Sequence, residues 1–110
     1  MASTGLTIAL IKALGGGGSG THEETVSGST PVITGVDGVR YVCGEVTTLS
    51  ITPPESGCIS VVFESGSTPT VLTVPNTVQF PDWFDPTSLE ANTIYEINIA
   101  DDLGVVATWA

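Results

Sequence analysis

Basic side chains are nearly absent from this 110-residue chain, which has one lysine, one arginine and one histidine against 12 acidic residues, for a formal net charge of −10. Binding the phosphates of a nucleic acid, or an anionic membrane surface, requires clusters of Lys and Arg. Proton transfer and oxyanion stabilisation draw on the same side chains. The composition therefore argues against a nucleic-acid or membrane partner and against an enzyme, and we expect no catalytic residue.

Cysteine is also scarce, and Cys43 and Cys58 are too few for a structural zinc site, which needs four ligands. One disulfide is possible, but two buried reduced thiols are favoured because nothing in the sequence indicates an oxidising compartment. Asp82, Asp85 and Glu90 cluster without matching a calcium-binding loop. The sequence therefore predicts neither a metal site nor a cofactor.

Small and β-forming residues dominate what remains, with 26 Ser and Thr, 13 Gly and 7 Pro. This composition is typical of short strands joined by tight turns. Alternation of apolar and polar residues, as in Thr93–Ile99, indicates strands with one packed and one wet face. The predicted strands are Thr25–Ser27, Pro31–Ile33, Val39–Cys43, Thr47–Thr52, Cys58–Glu64, Thr70–Val74, Thr77–Phe80, Thr93–Ile99 and Val105–Trp109. We expect a mainly β domain, an antiparallel β-sandwich or a jelly-roll-like fold.

The N-terminal segment differs from the rest, and the pattern divides the chain into a helix at residues 1–14, a flexible glycine-rich linker at 15–20 and a β domain at 21–110. The helix is apolar nearly all round and about 13 Å long, which suits a buried setting and is too short for a membrane span. Such a short helix is marginal alone. Docking on another chain is favoured; folding back onto the chain's own β domain and a secretory signal are the alternatives.

Two adjacent aromatic residues, Trp83 and Phe84, lie in a proline-flanked stretch predicted to be a structured loop. Exposed aromatic rings can stack on sugars without catalytic groups. Burial in the core, or in a contact between subunits, is the competing interpretation. The low surface charge further favours an oligomer, with a trimer as the expected state.

Several phrases of the sequence resemble bacteriophage virion proteins described as head fibre proteins, and some tail-fibre or baseplate proteins. The N-terminal phrase Leu6–Gly20 contains the run ALIKALGGG that precedes a variable domain in such proteins. The phrases of the remainder that look like a β domain of phage structural proteins are Tyr41–Val46, Ser65–Pro75, Trp83–Pro86 and Thr93–Ile99. These phrases are distributed between residues 6 and 99 of the chain.

The resemblance implies a head fibre or capsid decoration protein on the capsid surface of a virion that is assembled in the host cytoplasm. The major capsid protein or another virion protein is then the expected partner, bound through an apolar set that comprises Leu6, Ile8, Leu10, Ile11 and Leu14. The alternative is a tail-fibre or baseplate-associated protein that binds a host surface glycan, with Trp83 and Phe84 as contact residues.

Overall fold

A computed structural model describes residues 22–109, which form eight strands and contain no helix. The strands are β1 His22–Val26, β2 Val32–Thr34, β3 Val39–Glu45, β4 Thr48–Thr52, β5 Cys58–Ser65, β6 Val71–Thr73, β7 Thr93–Ala100 and β8 Leu103–Trp109. They build a five-stranded sheet in the order β1-β3-β5-β7-β8 and a three-stranded sheet in the order β2-β4-β6. The mainly β prediction is confirmed; the predicted helix and linker lie outside the described residues.

The chain alternates between the two sheets over its first six strands. Each strand pairs in parallel with the strand two before it, so residues 22–73 wind through three coils of a short β-solenoid. The β7–β8 hairpin adds antiparallel pairings at the edge of β5, and its turn is formed by Asp101 and Asp102. The predicted antiparallel arrangement is therefore wrong for the first six strands. Side chains alternate with the same period in parallel and antiparallel strands, so the pattern cannot distinguish the two.

One corner of the solenoid is built from a repeated pentapeptide. Ser-Gly-Ser-Thr-Pro occurs at Ser27–Pro31 and again at Ser65–Pro69, and each copy leads from the five-stranded to the three-stranded sheet. Backbone hydrogen bonds join the successive corners, from Thr47 N to Ser29 O (2.7 Å) and from Val71 N to Thr47 O (2.9 Å). The two copies stand two coils apart, so the repeat marks equivalent positions of the solenoid.

The opposite corner is held by Asp37. Its Oδ1 accepts a hydrogen bond from Cys58 N (2.9 Å), while Gly38 N donates to Cys58 O (2.8 Å). Gly57 lies beside this contact with φ of 93°, and a Cβ at this position would overlap the Asp37 carboxylate. The corner therefore requires glycine for both its backbone conformation and its space.

A single apolar core lies between the two sheets. Its fully buried members include Val46, Leu49, Ile51, Val61, Phe63, Ile97 and Ile99. Residues 74–92 close the core beneath β7 and β8, where no strand of the smaller sheet reaches, by burying Phe84 and Leu89. The predicted strand Thr77–Phe80 belongs to this segment and forms only an isolated bridge, at Gln79. No helix in residues 22–109 has the length and apolarity of a membrane span.

Candidate interaction surfaces

The five-stranded sheet has a second face, which points away from the core; we call it the outer face. Because Ile97 and Ile99 enter the core, Glu96 and Asn98 of the same strand point to the outer face. Both are buried, with 0% and 2% of their surface exposed, and so is Ser60 at 3%. The expectation of a wet face on this strand is therefore wrong at its centre. The residues we assign to the outer face are Arg40, Val42, Ser60, Val62, Ile94, Glu96, Asn98 and Ala107.

The buried centre of the outer face is polar. Ser60 Oγ donates a hydrogen bond to Glu96 Oε2 (3.1 Å), and Asn98 stands opposite Ser60 in the sheet. Arg40 Nη1 contacts the exposed Glu23 carboxylate at 3.0 Å. Within the described part of the chain, the buried Nδ2 of Asn98 and Nε of Arg40 have no hydrogen-bond acceptor. A buried donor without an acceptor costs about 1–3 kcal/mol.

Apolar side chains surround this polar centre. Val42 lies beside Val62, and Glu96 stands between Val62 and Ala107 in the register of the sheet. These neighbours, and Ile94 on the same face, are all partly buried. The outer face thus combines a buried carboxylate and unsatisfied donors with an apolar surround.

Trp83 and Phe84, predicted as a pair, contact each other edge-on with ring centroids 5.8 Å apart but differ in exposure. Phe84 is 7% exposed and packs edge-on against Phe80 and Tyr95, with ring centroids 5.0 and 6.0 Å apart. Trp83 is 62% exposed and lies at a groove of about 240 Å³, which is also lined by Glu90, Tyr95 and Thr108. Phe84 is therefore a core residue that also lines the groove, and Trp83 is the exposed member of the pair.

The acidic residues near this groove form a turn and no metal centre. Thr87 donates hydrogen bonds to Asp85 Oδ1 from its hydroxyl (2.6 Å) and its backbone nitrogen (2.9 Å). The hydroxyl first, and then the backbone bond, hold the pKa of the Asp85 carboxyl below its ordinary value. No cluster of three or more metal-ligating side chains occurs in residues 22–109.

Cys43 and Cys58 are not joined to each other by a disulfide. Cys43 belongs to the core, where burial raises its pKa to about 11. Cys58 is half-buried at the start of β5; burial first, and then the negative charges of Asp37 and Asp101, raise its pKa. Neither environment stabilises a thiolate, so the geometry does not support thiol catalysis.

The predicted anchoring residues Leu6, Ile8, Leu10, Ile11 and Leu14 lie outside the described residues. The buried polar centre of the outer face was not predicted, because a carboxylate in an alternating strand ordinarily indicates a solvent-facing side. Comparisons with family models, with curated proteins and with solved structures found no match for this chain.

Proposed function

We propose that this chain is a structural protein of a bacteriophage particle, a head fibre or capsid decoration protein that attaches through its apolar N-terminal segment. The observation that carries the proposal is the self-contained core of residues 22–109, which follows directly on a glycine run and an apolar segment. Residues 22–109 supply an apolar core of their own, and we infer that the apolar segment before them binds a partner. The resemblance of that segment to virion proteins supplies the kind of partner.

The surface chemistry of the domain supports a structural role. All 12 carboxylates and Arg40 lie within residues 23–102, so this part of the chain is strongly acidic. A surface of one charge sign keeps projecting domains soluble and apart. Burying each of Leu6, Ile8, Leu10, Ile11 and Leu14 in a capsid surface contributes about 1.5–3 kcal/mol before ordering costs.

Subunit contacts within the particle belong to the same proposal. Val32 and Val71 are 74% and 63% exposed on the three-stranded sheet. Their strands carry only Val, Thr and Ser on the side away from the core. Such an uncharged strip suits a contact between copies of the chain. We expect a trimer, and sedimentation equilibrium of the full chain measures the mass of the oligomer.

Particle incorporation tests the attachment. Phage particles are assembled with the full chain, with Leu10→Asp and with Thr4→Asp as a control that adds the same charge near the start of the segment. We expect Leu10→Asp to be lost from purified particles and Thr4→Asp to be retained, because only the former introduces a charge at an apolar anchoring position. Incorporation of Leu10→Asp at the normal level contradicts the proposed anchor.

A second candidate function rests on Trp83. Its 62% exposure beside a groove makes the side chain accessible to a sugar, which would suit a receptor-binding protein of a tail fibre or baseplate. A glycan array probed with the full chain and with Trp83→Ala tests it. We expect binding by the full chain, loss of binding in the variant, and an unchanged Tm, since an exposed ring contributes little to folding. An array without signal for the full chain removes this candidate.

A further inference from the structure

We propose that the groove at Trp83 binds an amino sugar through its free ammonium group and excludes anionic sugars. The proposal rests on the second candidate function and adds the chemical class of the ligand. The groove is lined by side chains from residues 83–95 and by Thr108 of β8. Its volume of about 240 Å³ is below the roughly 300–1,000 Å³ of pockets for drug-sized molecules, so the groove suits a single sugar ring.

Aromatic rings form the apolar part of the groove. Trp83 meets Phe84 at an angle of 74° between the ring planes, and Phe84 in turn packs against Tyr95. Phe84 and Tyr95 are both buried, so the exposed indole of Trp83 stands on a fixed aromatic base. An aromatic ring attracts a cation over its face, and it also packs against the apolar face of a sugar.

Hydrogen bonds at both ends of the loop hold the groove in shape before a ligand arrives. Phe84 N donates to Pro81 O at 3.0 Å, next to the indole. Glu90 N donates to the Tyr95 hydroxyl at 2.8 Å, which joins the end of the loop to strand β7. A groove that is already formed requires less ordering on binding, which favours affinity for a small ligand.

The charged side chains that line the groove are acidic. They are the exposed Asp85 and Glu90, and none of the described residues that line the groove is a Lys, Arg or His. Thr87 donates both of its hydrogen bonds to Asp85 Oδ1, which leaves Oδ2 without a donor in the described part of the chain. The ion pairs of the described residues lie on β1 and β3, so neither carboxylate of the groove has a cationic partner there.

These charges select among sugars. All 12 carboxylates of the chain lie within residues 23–102, and their combined field attracts cations and repels anions. A sugar that carries a carboxylate or phosphate would bring a like charge beside Asp85 and Glu90. An ammonium group can instead donate charge-assisted hydrogen bonds to these carboxylates while the sugar ring packs on Trp83. The groove therefore favours a sugar with a free amino group.

Titration of the full chain with a glucosamine oligosaccharide, and with its N-acetylated counterpart of the same length, tests the ligand class, because acetylation removes the charge. The NMR signal of the Trp83 indole N–H, assigned by its absence in Trp83→Ala, reports binding at the groove. We expect the amino sugar to bind about tenfold more tightly. Its affinity should fall as salt rises from about 0.1 to 1 M, because the screening length falls from about 10 to 3 Å. Equal affinities, or tighter binding of the N-acetylated form, overturn the inference and leave the second candidate function in place, whereas no binding of any glycan removes both.

Two matched substitutions separate the groove from the general charge of the domain. Glu90→Gln keeps the backbone hydrogen bond to Tyr95 and is expected to weaken amino-sugar binding by about 2- to 5-fold, the range for an exposed ion pair. Glu55→Gln removes the same charge from an exposed turn that does not line this groove, and is expected to change the affinity by no more than about 1.5-fold. Equal losses of affinity in the two variants would assign the binding to the overall charge and contradict the proposed site.

Discussion

The hydrogen bond from Thr70 tests whether the corners of the solenoid stack as described. Thr70 is 4% exposed, and its hydroxyl donates to Val46 O at 2.7 Å, which joins the third coil to the second. Thr70→Val keeps the branched shape and removes the donor, leaving a buried carbonyl without this partner. Such a loss costs about 1–3 kcal/mol. For a domain of this size, each kcal/mol lowers Tm by about 4–8 °C, so we expect a fall of roughly 4–20 °C.

Circular dichroism during heating of the full chain measures this change. Thr73→Val is the matched control, because Thr73 lies on the neighbouring strand β6 with its side chain exposed. A surface substitution of this kind is expected to change stability by no more than about 0.5 kcal/mol. If Thr70→Val and Thr73→Val unfold at the same temperature, the contact between coils at this corner does not contribute as argued.

Three further outcomes follow from the corners, the core and the turn. Gly57→Ala is expected to destabilise the domain by more than about 1 kcal/mol in urea unfolding, because the methyl group meets Asp37 at a positive φ; an unchanged midpoint would contradict this. Burial raises the pKa of the Cys43 thiol from 9.0 to about 11 on folding, so wild type should lose stability as pH rises from about 9 to 11. Cys43→Ala should reduce that slope and leave the part that the raised pKa of Cys58 contributes, and equal slopes would refute the assignment. Thr87→Val should raise the pKa of Asp85 in a carboxyl NMR titration. In wild type, the stability that this turn contributes is present above the ordinary Asp pKa and is lost as the pH falls through the lowered pKa of Asp85. An unchanged pKa would exclude the Thr87 hydroxyl as its main cause.

The positions of the strands could be predicted from the sequence because burial imposes a local pattern. Val39–Cys43 and Cys58–Glu64 were expected as strands, and the structure extends each by one or two residues. Thr77–Phe80 also consists mainly of residues that favour strands, but it follows Pro75, where residues 74–92 turn beneath the β7–β8 hairpin. Its neighbours therefore limit its pairing to the bridge at Gln79, and no local sequence pattern indicates this.

The direction of strand pairing is a non-local property, and the antiparallel prediction is wrong for the first six strands. The repeat of Ser27–Pro31 at Ser65–Pro69 was the available signal, since a fixed period indicates coils and not hairpins. The environment of Glu96 gave no such signal. Its burial depends on what lies over the sheet, so a single strand's alternation indicates the direction of the side chain but not its exposure.

Repetition of the coil also sets how this architecture can change in length. Each coil adds one strand to each sheet, so duplication of one coil of about 19 residues would raise the stack by roughly 4.8 Å and leave both ends as they are. Solenoids of different height arise by such internal duplications with no change in the β7–β8 hairpin. The height of the solenoid is therefore set by the number of its coils.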